Sequence, residues 1–196
     1  KIYGLLLHRP QELMKDTGQQ LYSALQRCKD LGLVQKIGIS IYDPYELGAI
    51  LNRYTIDLIQ APFNVIDRRM ETNSSSSSNN WLDRLHKSGV EIHVRSIFLQ
   101  GLLLMEKNQR PVKFNRWNKL WESWHTWLKE NQISAIQACL NFVLSYSQID
   151  RIVMGVESLA QLKEIIETID SGNPIVPTSL ICNDTDLINP SSWNAL

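Results

Sequence analysis

Five short apolar runs in this chain each stop on a residue able to do chemistry or to let a ligand come close. Leu5-Leu6-Leu7 stops on His8, Lys36-Ile37-Gly38-Ile39 on Ser40, and Ile56-Asp57-Leu58-Ile59 on Gln60. Val90 to Val94 runs into Arg95-Ser96, and Arg151-Ile152-Val153-Met154 into Gly155. A histidine can move a proton, while serine and glutamine offer both donors and acceptors. Arginine carries a permanent charge, and glycine lets a ligand approach the backbone. Taken alone, His8 reads more readily as a histidine that merely finishes a strand and satisfies a backbone group. Pro10 fixes its place, because proline ends regular structure and biases Arg9 toward an extended conformation, leaving His8 at a strand's carboxyl end. Five such endings on one edge of a sheet make a rim, and in parallel α/β proteins that edge is where sites are built.

The elements that must position this rim follow from periodicity. Unbroken apolar runs of this length fit strands buried on both faces. Between them, Thr17-Gly18-Gln19-Gln20 has the form of a capping box, and Leu21, Ala24, Leu25 and Cys28 follow at helical spacing up to Gly32. Asp43-Pro44 opens a second helix carrying Leu47, Ile50 and Leu51; Trp81, Leu82 and Leu85 begin a third, closed by Gly89. From Leu102 to Glu130 a long excursion carries Trp117, Trp121, Trp124 and Trp127, whose spacing puts them on one helical face and predicts a packing stripe. Ile133 to Tyr146 reads as an apolar helix, and Ser158 caps a last one through Ile169. Strands alternating with helices imply right-handed βαβ units and a parallel sheet within one domain, 1–196. Residues 72–80, almost wholly serine and asparagine, read as a flexible loop, and the proline-containing tail 171–196 as irregular.

Composition narrows the partners. Lysine plus arginine and aspartate plus glutamate number 20 each, so no net field favours nucleic acid or an acidic membrane. A small neutral or anionic ligand is expected instead. No apolar run approaches a membrane span, and the opening residues lack a signal pattern, so the expected location is cytoplasmic. Cys28, Cys139 and Cys182 are far apart and lack metal-ligand spacing, so neither a disulfide framework nor a metal site is expected.

On the motifs Leu5-Leu6-Leu7-His8, Gly38-Ile39-Ser40, Ile59-Gln60 with Asn64, Arg95-Ser96 to Gln100-Gly101, and Met154-Gly155-Val156-Glu157-Ser158 followed by Gln161, Leu162 and Glu164, the chain resembles the aldo/keto reductase family. The resemblance implies a (β/α)8 TIM-type barrel of which this chain supplies the last five strand–helix units, strands four to eight. It implies NADPH as cofactor and reduction of a small aldehyde or ketone to an alcohol. His8 matches the histidine that positions the carbonyl. Ser40 and Gln60 match the positions that hold the nicotinamide carboxamide, for which they offer a donor and an acceptor. Arg95 stands where the family stacks an aromatic ring on the nicotinamide. Ser96, Leu99 and Gly101 match the turn along the pyrophosphate, Gly155, Gln161 and Glu164 match the adenosine end, and Asn64 is expected at the substrate.

Three departures accompany the resemblance. The Arg95 guanidinium can stack, but its charge beside the ring would favour the reduced cofactor or draw in an acidic acceptor. Ile41 and Ile165 replace residues that are often asparagine in the family. The family's catalytic tyrosine, lysine and aspartate belong to strands one to three, and neither Tyr3, Lys15 nor Asp16 stands in their context. Upstream strands, or a partner chain, are therefore expected to close the barrel. The alternative is a catalytically inactive relative that senses cofactor or binds a protein.

Overall fold

The computed structural model describes residues 1–72, 80–169, 172 and 175–195. Five strands, β1 (Ile2–Leu7), β2 (Val34–Ser40), β3 (Leu58–Pro62), β4 (Glu91–Arg95) and β5 (Arg151–Val153), form one sheet in sequence order. The first three neighbouring pairs are parallel. Each predicted run is a strand, although β3 starts at Leu58 and continues through Gln60 to Pro62. Of the serine- and asparagine-rich stretch only Thr72 and Asn80 lie among the described residues. The chain divides into two compact units: Lys1–Pro62, Arg69–Arg95 and Gln148–Ile152 in the first; Phe63–Arg68, Ser96–Ser147 and Val153–Leu196 in the second.

In the first unit the sheet separates its side chains by face. Successive residues of a strand point to opposite sides. In β4, Ile92 and Val94 are fully buried on one side, and Glu91, His93 and Arg95 share the other. Register then aligns Ser40 with Gln60 and Gln60 with His93, which makes a polar row across three strands. Gly38 permits the close approach of β3, since a Cβ there would lie 2.2 Å from the Leu58 carbonyl oxygen. The guanidinium of Arg151 in β5 lies 5.1 Å from the Tyr3 ring centroid in β1. Five flat strands would hold these edges about 19 Å apart, so the sheet curls until its first and last strands meet through side chains.

Helices α1 (Gly18–Asp30), α2 (Tyr45–Leu51) and α3 (Trp81–Lys87) bury Tyr22 and Leu25, Leu47 and Ile50, and Trp81, Leu82 and Leu85 in turn. The expected capping box at Thr17 is not formed, as its side chain makes no cap bond. Gly18 is needed there for another reason: the Leu13 carbonyl oxygen lies 1.9 Å from where its Cβ would be. The N-cap of α2 is Pro44 rather than Asp43; Asp43 still accepts from the Tyr45 N–H at 2.9 Å, while Glu46 accepts from the Asp43 N–H at 3.2 Å.

The second unit contains α4 (Asn118–Asn131), α5 (Ala135–Leu144), α6 (Leu159–Thr168) and α7 (Thr185–Ile188). The tryptophan stripe packs as expected: Trp121 and Trp124 are buried, their indole N–H groups donate to the Phe114 and Leu103 carbonyls, and Trp127 stacks on Trp124. Residues 138–143 of α5 are all buried. Ser158 caps α6 by accepting from the Gln161 N–H at 3.1 Å. The described part of the tail is not irregular throughout, because α7 buries Leu187 and Ile188 and a 3-10 turn at Thr178–Leu180 buries Leu180. Among the described residues, no helix is long and apolar enough to cross a membrane, and no group of three or more side chains could hold a metal ion.

Candidate functional site

The carboxyl end of the curled sheet gathers the first four rim residues. The Ser40 hydroxyl, almost completely buried at the end of β2, donates to Gln60 Oε1 at 3.2 Å. This leaves the two N–H donors of the half-buried Gln60 amide without a partner among the described residues, and the Ser40 oxygen still able to accept. Arg95, two residues past His93 on the same face, donates from Nη2 to the Ile41 carbonyl at 3.1 Å. Its guanidinium lies over the Tyr42 ring, 4.7 Å from the centroid. His8 follows Leu7, which pairs with Ile39, so it stands level with Ser40; it is exposed and its ring makes no hydrogen bond to the described residues.

Beyond Arg95 the backbone enters a strained turn. Ser96, Leu99 and Gln100 have φ of 58°, 47° and 54°, and Gly101 follows at 83°. Positive φ costs a non-glycine residue on the order of 1 kcal/mol, so such a turn persists only where its surroundings hold it. Asn64 is one such hold. Fully buried, it donates from Nδ2 to the Ser96 carbonyl at 3.0 Å and accepts at Oδ1 from the Ile66 and Asp67 N–H groups. Its amide is therefore engaged with the turn and its own loop.

At the start of α6, Gln161 Oε1 accepts from the Glu157 N–H at 2.9 Å, and Glu164 is exposed. Gly155 is open, with nothing within 4 Å of where its Cβ would be. Its expected need for glycine has no counterpart within the chain, unlike that of Gly101.

The model of the aldo/keto reductase family matches residues 4–173. The chain belongs to the aldo/keto reductase family. Among solved structures, it is similar to the aldo-keto reductase AKR11C1 of Bacillus halodurans in its apo form, at 19% identity and a TM-score of 0.69, covering 93% of this chain and 64% of that one. The holo form matches with 18% identity and a TM-score of 0.66, covering 94% and 63%. A thermostable aldo-keto reductase, Tm1743, in complex with the inhibitor epalrestat gives 19% and 0.57, covering 91% and 57%. The chain thus spans less than two thirds of the length of these structures. A search of curated proteins found no significant match.

This aldo/keto reductase chain brings His8, Ser40, Gln60 and Arg95 together in its first unit. Asn64, Ser96, Leu99 and Gly101 belong to the second unit, as do Gly155, Gln161 and Glu164. Sequence reasoning missed His93. Buried beside Gln60, it bonds through Nε2 to Glu91 Oε1 at 2.8 Å. The signal was present in Glu91-Ile92-His93-Val94-Arg95, whose strict alternation places every polar residue on one face.

Proposed function

We propose that this chain is part of an NADPH-dependent reductase that converts an aldehyde or ketone to an alcohol. The observation that carries the reading is the Ser40–Gln60 pair, an amide in the middle of β3 held by one bond to the end of β2, with donors and an acceptor unspent among the described residues. That set fits a carboxamide, which needs both. Ser40 and Gln60 would hold the nicotinamide amide, Arg95 would lie along the ring, and the backbone from Ser96 to Gly101 would follow the pyrophosphate. Gly155, Gln161 and Glu164 would take the adenosine end. When bound, the dinucleotide supplies the hydride. His8 would hold the substrate carbonyl through its unengaged ring, and Asn64 acts on the site by holding the turn after Arg95. The strands are four to eight of a barrel. Strands one to three, with the residues that protonate the nascent alkoxide, come from upstream sequence or a partner chain. A cytoplasmic location accords with this role.

The test is a fluorescence titration with NADPH on the complete natural protein containing this chain, followed by addition of simple aldehydes, with His8→Ala, Gln60→Ala and Arg95→Ala alongside. Binding, and NADPH oxidation that falls in the variants, is expected. A protein that neither binds nor oxidises NADPH would reduce the family likeness to one of fold.

A further inference from the structure

At the rim of the first unit one charged side chain reaches from β4 over β3 to β2. Arg95 pairs in register with Pro62 of β3, yet its Nη2 donates to the Ile41 carbonyl at 3.1 Å, one residue past the end of β2. Ile41 is fully buried, and its own N–H donates to the Gln60 carbonyl at 2.9 Å. The anchor of the guanidinium is thus tied to the strand that carries Gln60. The Tyr42 ring, 4.7 Å away at its centroid, backs the guanidinium on a second side. Asp43, two residues beyond the anchor, is engaged with Arg69 at 3.2 Å. Since a guanidinium keeps its charge at any working pH, a cation is fixed to the residue next to Ser40.

The Ser40–Gln60 pair is where the reductase reading above puts the nicotinamide carboxamide, and the inference rests on that reading. Loss of a hydride, one proton with two electrons, to a carbonyl carbon turns the neutral dihydropyridine ring into a pyridinium cation. Sugars and phosphates are the same in both forms, so at this end the two differ by one positive charge. An aromatic side chain, which the family likeness leads one to expect at this position, would attract the cationic form through its π face. A guanidinium repels it. We propose that Arg95 makes the site discriminate by redox state, holding NADPH in preference to NADP⁺, so that the oxidised product of each turnover is the weaker ligand. A tenfold preference would make the bound couple about 30 mV more oxidising than the free one.

The test is calorimetric titration of the complete natural protein containing this chain with NADPH, NADP⁺ and 2′-phospho-ADP-ribose, which is the same molecule without its nicotinamide. The parent is expected to bind NADPH roughly tenfold tighter than NADP⁺. Arg95→Met should bring the two together, chiefly by tightening NADP⁺, and leave 2′-phospho-ADP-ribose unchanged. Arg95→Lys keeps a charge and should keep the preference; its loss there would make the fork responsible and count against the proposal. Equal affinities in the parent, or an undiminished ratio in Arg95→Met, would overturn it. So would a parallel loss of affinity for all three ligands, because that result assigns Arg95 to the phosphates. Should Arg95→Met not fold, Arg95→Gln keeps a donor for the Ile41 carbonyl without the charge and carries the same expectations. Failure of the underlying reading looks different: a parent that binds NADPH and NADP⁺ equally sinks only the role of Arg95, whereas one that binds neither sinks the reductase as well.

Discussion

The two ends of the sheet in the first unit spend their polar groups differently. At the amino end Glu91 accepts from the Tyr3 hydroxyl at 2.6 Å and Arg151 Nε at 3.2 Å, is bonded to His93 Nε2 at 2.8 Å, and pairs with the Lys36 ammonium. Both cations also lie against the Tyr3 ring. At the carboxyl end, among the described residues, the Gln60 side chain makes one bond and that of His8 none. Lys36 and Ser40 are about 13 Å apart along one strand, so the contrast lies within a single surface. Residue type does not separate the ends, since the amino-end cluster holds a tyrosine, a lysine, a carboxylate and a histidine, all able to move protons. Saturation does. A polar cluster whose members satisfy one another fixes structure, and groups with unspent donors at strand ends are left for a ligand.

The sharpest break of this contrast is at Glu91. Burial by itself would raise its carboxyl pKa, yet hydrogen bonds from Lys36, Tyr3 and His93, with the Lys36 charge, outweigh burial and hold it at about 2. A folded value below the ordinary 4.5 gives stabilisation that is complete above pH 4.5 and lost as pH falls toward 2. Its size is about 3 kcal/mol. Glu91→Gln is expected to lose about that much in urea unfolding at pH 7, with the deficit shrinking as both proteins are taken toward pH 2. NADPH affinity of the folded variant should match the parent. A selective loss of affinity would show that the amino-end cluster belongs to the site.

Asn64→Ala should cost somewhat less, about 2 kcal/mol, because it strands the Ile66 and Asp67 N–H groups and releases the Ser96 carbonyl. The readout beside stability is trypsin cleavage after Arg95. If the buried amide holds the strained turn, cleavage there accelerates in the variant before global unfolding. A turn that stays resistant would be self-supporting.

The strands and their order were legible in the sequence because each run is bounded by a turn signal or a polar stop. The rim was legible for the same reason: His8, Ser40, Gln60 and Arg95 each end an apolar run. Three things were not. The Thr17 capping box failed because the approach of the Leu13 carbonyl to Gly18 sets that helix start, a tertiary event invisible to local pattern. The Glu91 cluster joins residues 3, 36, 91, 93 and 151, and only the curl of the sheet brings them into contact. Asn64 was expected at the substrate, and its burial beneath the turn depends on loop geometry that spacing does not encode. The packing role of Trp121 and Trp124, by contrast, followed from helical period alone.

The smallest expected effect on stability, and the most informative about function, is at the unsaturated end. Gln60→Ala removes a half-buried amide with one neutral bond to Ser40, so unfolding should change by no more than about 1 kcal/mol. NADPH affinity should fall roughly tenfold, the equivalent of about 1.4 kcal/mol for a lost amide contact. Ser40→Ala should behave alike. The double variant decides between two meanings of the pair. If Ser40 and Gln60 grip one carboxamide together, losing either already forfeits the joint geometry, and the double variant binds little worse than each single one. Fully additive losses would mean two independent contacts, and a Gln60→Ala variant that destabilises without touching affinity would place the pair with the saturated amino end, as structure.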